Sequence, residues 1–395
     1  MTSIVVYGLS TEGYNLASSF ALNGVPTTLV DENLHMAMQL KSEVVETHKT
    51  LDNLLSEETL IGLESMETVL NKASYVFFAP KIRRSSENIA GEINSRIREV
   101  AKHISQHSTF IFNLPVGLGG STDILLLLEK VSGFNTGKDL GYIYAPMAPQ
   151  SNTFTQLGFV DKIDKTFLNL LSSSGIKTPN LSSLQISEIL HAVGVISRHS
   201  QNATVLECFR RINASEDRIK LNKIIKPVDT FLDDLSSEFF DIKTILSSLN
   251  VNEPLSHLAS GVVKSIDSYV RRLVEEVRNI MKIKELKASK TKVLVNWHID
   301  KYEIRGDRIK TKNNLVDRLK DYIGDISVIT FLEREITNLQ INDTLRDSKT
   351  SMIISCSKTD VSNLHKVLPK GKGLTDCIFI NANLPFEFYK TESVL

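Results

Sequence analysis

The hexapeptide Gly8-Leu9-Ser10-Thr11-Glu12-Gly13 follows the apolar run Ile4-Val5-Val6-Tyr7 and precedes a helical pattern through Leu16, Ala17, Phe20 and Ala21. A glycine permits a tight turn off a strand, and the free N–H groups of the next helix can receive a pyrophosphate. A second apolar run, Thr27-Thr28-Leu29-Val30, ends on Asp31. A carboxylate there can accept hydrogen bonds from adenine-ribose hydroxyls, and it repels a 2′-phosphate. The order predicts a βαβ unit that binds NAD, with Gly8, Ser10, Thr11, Gly13 and Asp31 at the cofactor. The G-x-G-x-x-G pattern is incomplete, because Ser10 stands at the middle glycine and Glu12 adds a negative charge to the turn. An ordinary strand-turn-helix without a ligand accounts for the same residues.

Other reactive side chains are sparse. Cys208, Cys356 and Cys377 are far apart, with no C-x-x-C and no disulfide framework, which fits a reducing cytoplasm. Cys208 lies in Val205-Leu206-Glu207-Cys208-Phe209-Arg210, a helical context without glycines. It reads as a buried small hydrophobe rather than a nucleophile. The histidines show no metal-ligand spacing, so no metal is expected. His191 is a candidate general base for a single hydride transfer, since imidazole can take a hydroxyl proton near neutral pH. The alternative is a helix residue at a domain interface, and no second catalytic group can be named with it. The loop Leu114-Pro115-Val116-Gly117-Leu118-Gly119-Gly120-Ser121 could make an anion nest at the next helix. Turn geometry explains it equally. The clusters Lys310-Thr311-Lys312 and Lys370-Gly371-Lys372-Gly373 could receive a diphosphate, although solvated loops fit them better.

The elements that must position these residues alternate along the chain. Strand patterns recur at Ala73–Pro80, Thr109–Asn113 and Leu140–Pro146, with helical patterns at Glu92–His103 and Thr122–Val131 between them. That order predicts a parallel sheet whose ligands lie beyond the carboxyl ends of its strands. From about Ser182 to Lys287 apolar residues recur at helical spacing, including Val270, Leu273, Val274, Val277, Ile280 and Met281. Strand patterns return at Lys292–Trp297, Ile326–Phe331, Met352–Cys356 and Asp376–Asn381. The expected architecture is α/β: an N-terminal Rossmann doubly wound parallel sheet over 1–180, a helical middle domain over 181–288, and a smaller C-terminal Rossmann-like domain over 289–395.

Composition narrows the function. Lys+Arg and Asp+Glu are 46 each, so the formal net charge is zero. That argues against a broad footprint for nucleic acid or anionic membrane. No apolar run reaches the ~20 residues that span a bilayer. No basic, apolar leader precedes the first strand, so neither a membrane span nor a signal peptide is expected.

Two α/β domains bracketing a helical middle resemble the UDP-glucose/GDP-mannose dehydrogenase family. Several stretches carry the resemblance in order. Asn71 to Pro80 resembles the family strand whose closing proline lies beside the cofactor. Phe112-Asn113-Leu114-Pro115-Val116-Gly117 resembles the S-T-V-P-x-G loop near the nicotinamide, which implicates Pro80, Asn113 and Pro115 in cofactor binding. Tyr144-Ala145-Pro146 stands where the family has N-P-E. Glu188-Ile189-Leu190-His191 resembles the approach to its A-E-L-x-K-x-x-x-N helix. Lys292 to Arg305 resembles the start of its third domain, with Lys301 and Arg305 on its basic positions.

The departures concern chemistry. The family's G-G-x-C-x-x-K-D motif is absent, His191 replaces the helix lysine, Val195 its asparagine, and Met147 the carboxylate of N-P-E. The resemblance implies an NAD(H)-binding protein with a degraded active site that does not run the four-electron oxidation. A divergent oxidoreductase performing one hydride transfer on a nucleotide sugar is an alternative. So is a non-catalytic scaffold or partner subunit. The family's helical domain makes its dimer, so a homodimer or pairing with a homologue is expected.

Overall fold

A computed structural model of the protein describes residues 2–56, 63–82, 89–161, 163–212, 217, 220–221, 230–330, 350–367, 377–383 and 388–390. The chain divides into two compact units. One comprises Met1–Val195, Phe240–Glu253 and Asp300–Gly306, and the other Ile196–Phe239, Pro254–Ile299 and Asp307–Leu395. The helical stretch expected as a middle domain is thus shared between them, and the short segments 240–253 and 300–306 return to the first.

The first unit is built on a sheet ordered β4-β3-β2-β1-β5-β6-β7-β8-β9. The strands are β1 (Ile4–Tyr7), β2 (Thr27–Asp31), β3 (Met36–Leu40), β4 (Leu63–Ser65), β5 (Tyr75–Phe78), β6 (Thr109–Phe112), β7 (Gly141–Tyr144), β8 (Leu157–Phe159) and β9 (Leu181–Ser183). The centre, β2-β1-β5-β6-β7, is parallel. Its crossovers include α1 (Thr11–Leu22), α5 (Ile89–His103) and α6 (Gly120–Ser132). The strands β1 and β5 are buried at every position, as expected of a parallel sheet covered on both faces. Aromatic residues fill this core: Tyr7 stacks on Phe78 at 5.4 Å between centroids, and Phe78 on Phe112 at 5.6 Å. Each such buried ring contributes about 1.5–3 kcal/mol.

The antiparallel edge β2-β3-β4 was not visible in the sequence pattern. Met36-Ala37-Met38-Gln39-Leu40 lacks the β-branched residues that mark strands. Asp31 sets the turn into β3, where its Oδ1 accepts the N–H groups of Asn33 at 2.8 Å and Leu34 at 3.2 Å.

The second unit holds a smaller sheet, β11-β10-β12-β13-β14, formed by β10 (Lys292–Asn296), β11 (Asp325–Ile329), β12 (Thr350–Ser355), β13 (Ile378–Asn381) and β14 (Phe388–Lys390). It is parallel except for β14. The helix Pro254–Ile283 carries its apolar stripe into this core. Tyr269, Leu273 and Val277 join Val293, Val295, Leu315 and Ile354 in one buried cluster. Trp297 is buried there, and its Nε1 donates to Asp233 at 2.8 Å. The Lys370–Gly373 cluster lies outside the described residues.

Candidate functional site

In an open parallel sheet, the ligand crevice lies where neighbouring crossovers run in opposite directions. In the first unit that place is between β1 and β5. The residues that follow these strands, Gly8 and Ala79-Pro80, lie together there. Gly8 has φ +114°, and a Cβ on it would lie 2.3 Å from the Pro80 Cα. Gly8 and Pro80 are thus brought together by backbone packing. Asn113 follows β6, and its N–H donates to the Phe78 carbonyl at 3.1 Å. The Asn113 side-chain amide donates to the Ala145 carbonyl at 3.0 Å. Pro115 is buried in the loop beyond.

Several N–H groups of the glycine turn already have acceptors, among them that of Gly8, which donates to the Val30 carbonyl at 3.2 Å. Leu9 N–H donates to Glu32 Oε2 at 2.8 Å. Thr11 N–H donates to the Tyr302 carbonyl at 2.9 Å. Ser10 is buried as the N-cap of α1: its Oγ accepts the Gly13 N–H at 3.1 Å and donates to the Ala79 carbonyl at 2.6 Å. The Glu12 carboxylate accepts from Gln150 N–H and Ile304 N–H, each at 2.9 Å. Arg96 holds the other Glu32 oxygen at 2.8 Å.

The residues present therefore do not fit a pyrophosphate in this conformation. The Glu32 carboxylate and the Tyr302 carbonyl take donors that phosphate oxygens would need, and the buried Glu12 carboxylate adds a second acidic group in the same turn. Burial pushes both carboxyls above the ordinary carboxylate range, opposed at Glu12 by the Gln150 hydrogen bond and Arg305. Arg96 opposes it at Glu32. Asp31, the residue expected at the ribose, instead serves the β2–β3 turn, and its neighbour Glu32 reaches the glycine turn. Asp31 is the last residue of β2 and Glu32 the first of the turn beyond it, where the backbone leaves the strand.

The loop before α6 is filled in the same way. Glu188, from α8 (Leu184–Arg210), accepts the N–H groups of Gly119 and Ser121, each at 2.8 Å. Ser248 Oγ accepts the Leu118 N–H at 2.8 Å. The nest that the glycines suggested exists, and a protein carboxylate occupies it.

His191 lies on α8 in a buried polar network. Its Nε2 is 3.5 Å from Asp241 Oδ2, and its Nδ1 is 3.2 Å from Thr155 Oγ1. Arg305 grips Asp241 through Nε at 2.7 Å and Nη2 at 2.9 Å, and it donates to the Met147 carbonyl at 2.8 Å. Burial works against the Asp241 charge, but Arg305 and His191 outweigh it and hold the carboxyl well below the usual range. All three side chains are at least nine-tenths buried. Asp241 and Thr155 carried no sequence signal, because neither sits in a motif and their contacts with His191 span 50 and 36 positions. Lys301 is exposed and pairs with Asp52 at 2.7 Å.

No thiol joins this network. Cys208 is exposed on α8, contrary to the expectation of burial, because the apolar stripe of the helix at that point runs through Leu206 and Phe209. Cys356 and Cys377 are buried in the second unit, where burial pushes the Cys377 thiol up to about 12. Among the described residues no group of three His, Cys, Asp or Glu side chains could hold a metal ion. Nor is any described helix long and apolar enough to cross a membrane.

No family profile and no curated protein matches the sequence. Solved structures do match. A UDP-D-ManNAc dehydrogenase from Pyrococcus horikoshii superposes over 96% of this chain and 99% of its own, with a TM-score of 0.61 and 15% identity. A UDP-glucose dehydrogenase from Pyrobaculum islandicum covers 100% and 95%, with a TM-score of 0.62 and 12% identity. The UDP-N-acetyl-mannosamine dehydrogenase Cap5O from Staphylococcus aureus covers 97% and 98%, with a TM-score of 0.57 and 14% identity. The chain has the nucleotide-sugar dehydrogenase fold, with its Rossmann-like sheets, over essentially its whole length. At these identities the likeness is one of fold.

Proposed function

We propose that this protein is a non-catalytic member of that fold, a cytoplasmic scaffold or partner subunit. The observation that carries the reading is the Arg305–Asp241–His191 network. The groups that could do acid-base chemistry are buried against one another, and Thr155 takes the remaining ring nitrogen of His191. A general base must reach a substrate proton directly or through one water. No thiol lies in this network for a covalent step.

The partner is a second copy of the chain or a homologue with an active site. Ile186, Ile189, Leu190 and Val193 recur at helical spacing on α8, and each is at least 41% exposed. Such a stripe on a helix usually meets another protein surface. The reading predicts a dimer by light scattering. It also predicts no NADH formed from NAD with UDP-glucose, GDP-mannose or UDP-N-acetylmannosamine. Turnover of any of these would overturn it.

The His191–Asp241 pairing favours the second reading, a single hydride transfer with His191 as base. That reading requires turnover that His191→Gln abolishes.

A further inference from the structure

The segment Asp300–Gly306 belongs to the first unit although the chain on either side of it belongs to the second. It passes the carboxyl ends of β1 and β5. The Tyr302 carbonyl accepts Thr11 N–H, Ile304 N–H donates to Glu12, and the Ile304 carbonyl accepts Ile82 N–H at 2.8 Å. The Ile304 side chain is fully buried in the first core. Arg305 anchors the segment through Asp241 and the Met147 carbonyl. The ammonium groups of Lys81 and Lys301 are 5.1 and 4.9 Å from the centroid of the Tyr302 ring.

We infer that the strap Asp300–Gly306, together with Glu12 and Glu32, is a built-in occupant of the dinucleotide cradle, and that it excludes the cofactor. The protein supplies as acceptors what a pyrophosphate would supply: oxygens at the donors of the glycine turn. A helix N-terminus attracts anions because its first N–H groups lack partners. Here Leu9 and Thr11 have partners, and added phosphates would meet the carboxylates of Glu12 and Glu32. The filling of the α6 nest by Glu188 is the same exchange at a second place in the same unit. Displacing the strap requires pulling Ile304 from the core and breaking the Arg305–Asp241 pair. The inference deepens the non-catalytic reading and rests on it, but it can fail separately.

The test is amide hydrogen exchange at single-residue resolution on the full chain, with and without millimolar NADH. In the native protein the Leu9 and Thr11 amides are expected to exchange at least about a hundredfold more slowly than unprotected amides. NADH is expected to change neither. In Glu32→Ala the Leu9 amide speeds up at least tenfold. In Glu12→Ala the Thr11 amide speeds up, because Glu12 secures the strap that carries the Tyr302 carbonyl. The Gly13 amide, held by Ser10, stays as it was in both variants. Near-unprotected exchange at Leu9 and Thr11 in the native chain overturns the inference whether or not the variants fold. So does a saturable NADH effect on either amide, even if no sugar is oxidised.

Discussion

Glu32, not Asp31, faces the glycine turn, and its carboxylate accepts the Leu9 N–H at 2.8 Å while Arg96 holds its other oxygen. One step past the end of β2 thus changes the meaning of the acidic residue. Asp31→Ala removes a turn acceptor and is expected to cost at most about 1 kcal/mol in chemical denaturation. Glu32→Ala leaves the largely buried Arg96 without one carboxylate and is expected to cost about 2–4 kcal/mol. Equal effects would mean that Glu32 is not the residue that closes the turn.

Arg305 and Asp241 form a fully desolvated pair with two parallel hydrogen bonds. Arg305→Ala strands a buried carboxylate, and about 3–5 kcal/mol of stability should be lost. Arg305→Lys should restore less than half, because an ammonium cannot make both bonds. Adding Asp241→Asn to Arg305→Ala should recover part of the loss, since the stranded charge is gone. Simple additivity in a denaturation double-mutant cycle would argue against the pairing.

Gly8 separates a structural from a ligand-binding glycine. Its φ of +114° and the approach of Pro80 leave no room for a side chain. Gly8→Ala should cost more than about 2 kcal/mol with no ligand present. Gly119 has φ +81° and open space around its Cβ position, so Gly119→Ala should cost only about 1 kcal/mol. Thermal melts of both variants check the contrast.

The second unit carries a pH dependence of its own. Burial pushes Asp360 up to about 6, with Asp233 adding to it, while hydrogen bonds from Ser357 and the His298 N–H oppose it. A folded value above the unfolded one gives stability that is complete below about pH 4 and lost as the pH rises through 6. The difference from the ordinary 3.8 corresponds to about 3 kcal/mol. Burial raises Glu12 and Glu32 in the same direction. Asp360→Asn should flatten part of the fall in denaturation free energy between pH 4 and 6. An unchanged slope would contradict the assignment.

Much of the architecture was legible because it rests on periodicity. The runs at Ile4, Tyr75, Thr109 and Lys292 became parallel strands, and the stripe from Val270 to Met281 became the buried face of a long helix. The edge strand Met36–Leu40 was not legible, since its residues carry no strand preference. At the site, Gly8, Ser10, Gly13 and Pro80 do cluster, because a strand-turn-helix fixes them locally. The acceptors that fill the turn were hidden. Glu12 meets Ile304 across 292 positions, and only the fold brings the two together. Asp241 was missed for the same reason, whereas Glu32 was overlooked beside Asp31 because the sequence does not say which of two adjacent carboxylates turns inward.

The most direct measurement is a titration of the purified native protein with NADH, followed by nicotinamide fluorescence, with Asp31→Ala alongside. A cradle closed by Glu12, Glu32 and the Tyr302 carbonyl predicts no saturable signal from either protein at millimolar NADH. Saturable binding by the native chain that Asp31→Ala abolishes would contradict the account and place a dinucleotide where the strap now lies.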